Sequence, residues 1–186
     1  HYFPIFCDYY PEQTKGVKLE TFMRAVNRVR RDDIRVNADE VTYGLHIILR
    51  FRLERELVDG SLKVKDLPEA WDSMSRELLG KDPDSIKSGV LQDVHWMCGL
   101  YGYFPSYALG NLINAQVWDS MAKDLDVNNI LKKGNLVKIK DYLTERYYRF
   151  GAIYPLADLL EKGTGKSLDS SHFDNYLRNK YRGLFG

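Results

Sequence analysis

GVLQDVHWMCGLYGYFPSYALGN, from Gly89 to Asn111, is the stretch that decides how the rest of the chain is read. It crowds a histidine (His95), two adjacent polar residues (Gln92, Asp93) and the tyrosines Tyr101, Tyr103 and Tyr107 between segments of ordinary amphipathic helix pattern. A helix that only fills a core has no use for such a mixture, since an interior Gly costs roughly 1 kcal/mol and a Pro about 3. Gly99, Gly102 and Pro105 therefore predict a broken or bent segment where backbone comes close to backbone or ligand. On spacing alone a second reading stays open, a buried turn around a satisfied core histidine.

The flanks on both sides read as helices. Upstream, Leu19, Phe22, Met23, Val26 and Val29 form a helical stripe that ends at Arg28, Arg30, Arg31, Asp32 and Asp33, a cluster expected to be solvated. Ile34-Arg35-Val36 alternates and suits a short strand or an extended link. Asn37 with Glu40 resembles a capping box, so the next helix is expected to begin there, to bury Val41, Leu45, Ile48 and Leu49, and to close at Asp59-Gly60. His46 falls among these apolar positions and reads as a core or interface histidine, with a ligand role as the competing reading. Asp66, Glu69, Pro68 and Gly80 bound a second helix carrying Trp71, Met74 and Leu78, and the two make a helical hairpin.

Downstream, Pro105 can start a helix through Leu109, Leu112, Ala115, Gln116 and Met121. Further helices are expected from an Asn135 cap to Gly151, over Pro155 to Leu160, and from Ser171 to Tyr181. Gly163-Thr164-Gly165-Lys166-Ser167 looks like the end of a phosphate-binding loop, but Leu160 stands where that pattern needs glycine, so a turn is expected. The opening His1 to Gln13 is rich in aromatics and would expose an apolar face suited to an interface, a second copy of the chain included. With no repeat or linker, the prediction is all-α: a single multi-helix domain over residues 1–186 with at most one short β-hairpin.

Composition narrows the function classes. At 186 residues, 44% hydrophobic and 13% aromatic, the chain is globular in type, and 27 basic against 26 acidic residues give a net charge of +1. No global field then argues for nucleic acid or an anionic membrane as partner. No apolar run reaches membrane-span length and no signal peptide pattern opens the chain. Cys7 and Cys98 cannot build a disulfide framework; buried free thiols in a cytoplasmic protein are the expectation.

Gly89, Gln92, Asp93, His95 and Trp96 fit G-x-x-Q-D-x-H-W, and Ile34-Arg35-Val36-Asn37-Ala38 fits I-R-x-x-A. With the flanking runs Ala38 to Tyr43, Asp66 to Trp71 and Gly102 to Pro105, the chain resembles the carboxypeptidase Taq family of zinc metallocarboxypeptidases. The resemblance implies a hydrolase acting on peptide C-termini. It also implies a zinc site built from H-E-x-x-H and a Glu in a following His-Glu-Ser segment, and neither is present. His1, His46, His95 and His172 have no such spacing. The chain thus reads as the last third of such an enzyme, beginning just after the zinc ligands, with the tail Tyr176 to Tyr181 like the family's natural end. The expectations are zinc in the full-length protein and none in this chain, and as partners the N-terminal half of the same protein and a peptide substrate.

Related helical zincins carry a His followed about a dozen residues later by a Tyr, both donating to the oxyanion. His95 and Tyr107 have that separation, with Tyr103 as the other phenol, and Asp93 could hold the imidazole. Arg35, with Gln92 and Asp93, is the substrate-binding candidate, its planar fork suited to a terminal carboxylate. The competing readings are that His95 and Tyr107 only pack the interior and that Arg35 pairs with Asp32, Asp33 or Asp39. For the whole chain the alternative is a helical interaction module that keeps the family's wall without its chemistry.

Overall fold

The computed structural model describes all 186 residues, and it holds α-helices and short 3-10 turns with no strand. The all-α expectation holds. In chain order the helices are α1 (Tyr2–Tyr9), α2 (Pro11–Thr14), α3 (Leu19–Val26), α4 (Tyr43–Asp59), α5 (Leu67–Leu79), α6 (Pro105–Asp124), α7 (Val127–Lys132), α8 (Leu136–Arg146), α9 (Leu156–Thr164) and α10 (Ser171–Phe185). They fall into two compact units, Asn27–Gly110 and a second made of His1–Val26 with Asn111–Gly186.

The first unit is built on the α4–α5 hairpin that the sequence predicts. Each helix is closed by a glycine in the left-handed region, Gly60 at φ 82° and Gly80 at φ 73°, where a side chain would be strained. Leu49 and Leu53 of α4 pack with Leu67, Trp71 and Leu79, and burying each such side chain contributes roughly 2 kcal/mol.

Three local expectations fail here for identifiable reasons. The capping box at Asn37 does not form, because Asn37 closes a separate 3-10 turn and the turn before α4 is organised by Asp39. Its carboxylate accepts the backbone N–H groups of Val41 and Thr42 at 2.9 and 3.0 Å, and α4 starts only at Tyr43. Arg35–Asn37 is a 3-10 turn, since no neighbouring strand exists to pair with an extended one. The buried face of α4 is also not the predicted one. Of Val41, Leu45, Ile48 and Leu49 only Leu49 is fully buried, and His46, Ile47, Arg50, Leu53 and Glu54 share its face.

The charged cluster is only partly solvated. Asp33 is buried, with one carboxylate oxygen 3.2 Å from Lys81 Nζ and the other accepting the N–H of Asp84 at 3.3 Å. Burial pushes its carboxyl up, but these hydrogen bonds and the Lys81 charge outweigh that and hold it below the usual carboxylate range. Cys98 is exposed and Cys7 half-buried, so neither thiol is the fully buried one expected.

In the second unit Met121, Val127, Ile130 and Leu160 are buried. The helix α7, missed in the sequence, is capped by Asp126, whose carboxylate accepts the Asn129 N–H at 3.1 Å. The helix predicted from Asn135 to Gly151 breaks at Tyr147 (φ −133°) into α8 and a 3-10 turn. Thr164 belongs to α9, and Gln116 of α6 ties down the chain beyond that helix, donating to the carbonyls of Lys166 and Ser167 and accepting from Asp169 N at 2.9 Å. The phosphate-loop look-alike is therefore a helix end and a pinned turn. Helix α1 buries none of its residues; Phe3 and Phe6 lean on Phe22 with ring centroids 5.2 and 5.1 Å apart, while Tyr2, Tyr9 and Tyr10 stay exposed.

Candidate active site

His46, Arg50 and Glu54 recur every fourth residue along α4, so they share one face, and all three are buried. Charge on a buried helix face persists only where partners neutralise or hydrogen-bond it. The partners come from the broken segment between α5 and α6, whose one helical turn is the 3-10 turn Trp96–Cys98. Glu54 accepts the indole N–H of Trp96 at 2.7 Å and the backbone N–H of Gly102. Arg50 donates Nε to Asp93 Oδ2 at 2.7 Å and Nη1 to the His46 carbonyl at 2.8 Å. Its Nη2 is 2.6 Å from the same Asp93 oxygen but off the hydrogen-bonding direction, so Nε carries the bond. Helix α4 thus clamps the segment on both sides of His95.

The turn at Arg35 is held by the same segment. Gln92 accepts the Arg35 N–H at 2.7 Å and donates its amide to the carbonyls of Asp33 and Ser88, at 2.8 and 2.6 Å. Asp93 Oδ1 accepts Arg35 Nε at 3.1 Å and Nη2 at 2.7 Å, and Arg35 Nη1 donates to the Tyr43 hydroxyl at 3.0 Å. The ion-pair partner of Arg35 is therefore Asp93, not Asp32, Asp33 or Asp39, because Gln92 fixes the turn against the segment that carries Asp93. Arg35 is 8% exposed and Arg50 fully buried.

Two guanidiniums share one carboxylate, each with its own oxygen. Burial pushes the Asp93 carboxyl up, but the Arg35 hydrogen bond and the Arg50 charge outweigh it and keep the group below its ordinary value. Arg50 shows the opposite balance: burial lowers it to about 10 despite Asp93, and it stays charged at neutral pH. His46 is driven down to about 4, by burial first and the Arg50 charge second, so it is neutral.

Sequence reasoning brings His95 and Tyr107 to one cleft, and the structure joins them directly, His95 Nε2 to the Tyr107 hydroxyl at 3.0 Å. The Tyr103 ring lies 5.6 Å from His95 and 5.5 Å from Tyr107, and the Arg35 guanidinium carbon stands 5.0 Å from the Tyr107 ring centroid. Tyr107 titrates above the ordinary phenol range, through burial and then Tyr103, so its hydroxyl keeps its proton. His95 Nδ1 is 4.0 Å from Asp93 Oδ1, beyond hydrogen-bond reach, and has no partner. The expected Asp93–imidazole bond is absent because Oδ1 is already taken by Arg35. A neutral imidazole and a phenol have one N–H and one O–H between them, so one proton is spent on their mutual bond. With the N–H on Nε2, it is the Tyr107 O–H that is free to point outward.

The family model described as Carboxypeptidase Taq (M32) metallopeptidase matches residues 1–181. This chain belongs to that family. It is 40% identical over 176 residues to Carboxypeptidase 1 of Bacillus subtilis (strain 168), covering 94% of this chain and 35% of that relative. Thermostable carboxypeptidase 1 of Pyrococcus furiosus is 44% identical over 156 residues, 83% of this chain and 31% of its own length. Among solved structures, the M32 carboxypeptidase of Deinococcus radiodurans R1 superimposes with a TM-score of 0.94 at 40% identity, over 100% of this chain and 38% of that one. The chain spans about a third of the length of the curated relatives it matches.

The family is one of metallopeptidases. No group of three His, Cys, Asp or Glu side chains stands close enough to bind an ion. Two buried imidazole nitrogens lack partners, His46 Nε2 and His95 Nδ1. The first has the Arg50 and Arg35 charges beside it, which oppose a cation, against the one opposing charge of Asp32, and the carboxylate nearest the second is bonded to both arginines. No helix is long and apolar enough to cross a membrane.

Arg50, Glu54 and Tyr43 are the site residues that sequence reasoning missed. The signal was present in the His46, Arg50, Glu54 spacing, which puts three polar side chains in line along an otherwise apolar face.

Proposed function

We propose that this M32 chain forms a cleft wall of a zinc metallocarboxypeptidase that releases C-terminal residues from peptides. The observation that carries the reading is that the Tyr107 phenol, hydrogen-bonded to His95, stands beside a guanidinium with spare N–H groups. Of the five N–H groups of Arg35, Asp93 and Tyr43 take three. Two remain for a terminal carboxylate. In a peptide that carboxylate and the last amide carbonyl belong to neighbouring residues, whose Cα atoms are about 3.8 Å apart. The Arg35 guanidinium carbon stands 5.0 Å from the Tyr107 ring centroid, which brings the two groups into one neighbourhood.

In this reading Arg35 seats the carboxylate, and the Tyr107 hydroxyl donates to the oxygen that becomes negative as the carbonyl is attacked. His95 Nε2–H donates to the Tyr107 oxygen and aims it, while Tyr103 rims the site as the second phenol. Gln92 and Asp93 hold Arg35 in place. Zinc and the general base are assigned to the rest of the protein, which is also the chain's principal partner, with the peptide as substrate. The exposed aromatic face of α1 is the surface assigned to contact with that remainder or a second copy. The cytoplasm is the compartment that suits two free thiols.

Tyr107→Phe in the intact enzyme tests the role. One lost oxyanion donor costs about 3 kcal/mol, so kcat should fall by about 100-fold with KM little changed. Wild-type kcat in a folded Tyr107→Phe enzyme would remove the oxyanion role. The second reading, a non-catalytic interaction module, is motivated by the missing metal-ligating group. An intact protein that cleaves no peptide when supplied with zinc would establish it.

A further inference from the structure

Arg50 is an expensive residue where it stands. It is fully buried on α4, and an apolar side chain would fill the same space without a charge to compensate. Its bonds are also incompletely used, with Nε on Asp93, Nη1 on the carbonyl of its own helix, and the guanidinium packed 4.8 Å from the Trp71 ring centroid and 5.5 Å from that of Phe104. Asp93 is the only carboxylate in ion-pair contact with either Arg35 or Arg50. Glu54, the next acid along the same face, is bonded to Trp96 and Gly102 instead. Around Asp93 itself, two guanidiniums thus meet one carboxylate.

The geometry points to Arg50 as the positioning residue that makes Arg35 an anion site, by taking one oxygen of Asp93 so that the Arg35 charge is not cancelled. Without Arg50, Arg35 and Asp93 would form a neutral pair, with little pull on a second carboxylate. With it, Asp93 is shared and its pull on Arg35 is diluted, and of the two guanidiniums only Arg35 keeps any exposure through which an anion can reach it. The rings of Trp71 and Phe104 hold the Arg50 charge at a set distance from Arg35. The neutral His46 beside it cannot take over the task.

This inference rests on the carboxylate-seating role of Arg35, and its test separates the two. In the intact carboxypeptidase, inhibition constants are measured for a dipeptide with a free C-terminal carboxylate and for the same dipeptide as its amide. The wild type should favour the carboxylate. In Arg50→Met that preference should shrink on the order of tenfold, as expected when a nearby buried unit charge is removed, with amide binding unchanged. Arg50→Lys, which keeps the charge and loses the fork, should retain most of the preference; a purely structural role would weaken both ligands alike. A folded Arg50→Met enzyme with the wild-type preference overturns the inference and leaves the Arg35 role standing. If Arg50→Met does not fold, Arg50→Lys decides: a kept preference supports the charge role and a collapse in the folded variant refutes it. A wild type that does not distinguish the ligands overturns the Arg35 role, and the inference with it.

Discussion

Asp93→Asn removes one negative charge and leaves the shape nearly unchanged, which makes it the sharpest probe of the shared carboxylate. The carboxylate accepts three N–H groups, two from Arg35 on Oδ1 and one from Arg50 on Oδ2. Asparagine keeps one carbonyl oxygen, which can serve one guanidinium. Its NH2 group then faces the donors of the other, so one buried cation loses its only carboxylate. Stripping a buried ion of its partner costs about 3–5 kcal/mol, and because Arg50 is fully buried while Arg35 and Asp93 keep a slight exposure, about 4 is expected. A chain of this size has on the order of 5–15 kcal/mol in total, so the variant should be marginal. Urea unfolding followed by far-ultraviolet circular dichroism reads this as a lower midpoint at unchanged slope. The acid limb should change as well. The folded state holds the Asp93 carboxyl below its unfolded value, so this contribution is complete above about pH 4 and is lost as pH falls through the folded value. Asp93→Asn removes that part of the acid dependence. A loss under about 1 kcal/mol would mean that water already screens the pair, and the buried-network argument would fail.

His46 should make the protein acid-sensitive over a higher range. Its folded value near 4 lies below the ordinary 6.5, so the unfolded state binds the extra proton between them. Stability is then full above about pH 6.5 and falls by on the order of 3 kcal/mol towards pH 4, whereas His46→Gln should flatten that slope; parallel curves for the two proteins would contradict this. Gly163→Ala should be destabilising by about 1–3 kcal/mol, because the new Cβ would lie 2.2 Å from the Tyr147 ring, whose hydroxyl is itself buried; an unchanged thermal midpoint would show that the ring moves aside freely. The 186-residue chain prepared alone should retain no stoichiometric zinc after dialysis and release no amino acid from peptides, and tight one-to-one zinc with cleavage would refute this.

Much of the fold was legible because it is local. Gly60, Gly80 and Pro105 act within one turn of where they stand, and they end or start helices as the sequence predicts. The break between α5 and α6 was legible too, since glycine and proline disfavour helix wherever they cluster. Where two local signals compete the reading fails. Asn37 and Asp39 are both good caps, and only the folded turn shows that Asp39 reaches the donors at Val41 and Thr42.

The meeting of His95 and Tyr107 in one cleft was within reach of sequence, through the resemblance to helical zincins and the 12-residue spacing with Pro105 between, but their direct hydrogen bond was not. The rest of the site was decided by tertiary structure alone. Arg35 to Asp93, Arg50 to Asp93 and Glu54 to Trp96 cross 58, 43 and 42 residues of chain. Nothing in periodicity selects one distant partner over another. Charged residues on a helix pattern read as a solvated face, since a buried charge is costly unless partnered. The partners exist here only because α4 packs against α5 and the broken segment folds over both, which is why Arg50 and Glu54, plain surface residues in the sequence, are buried residues in the protein.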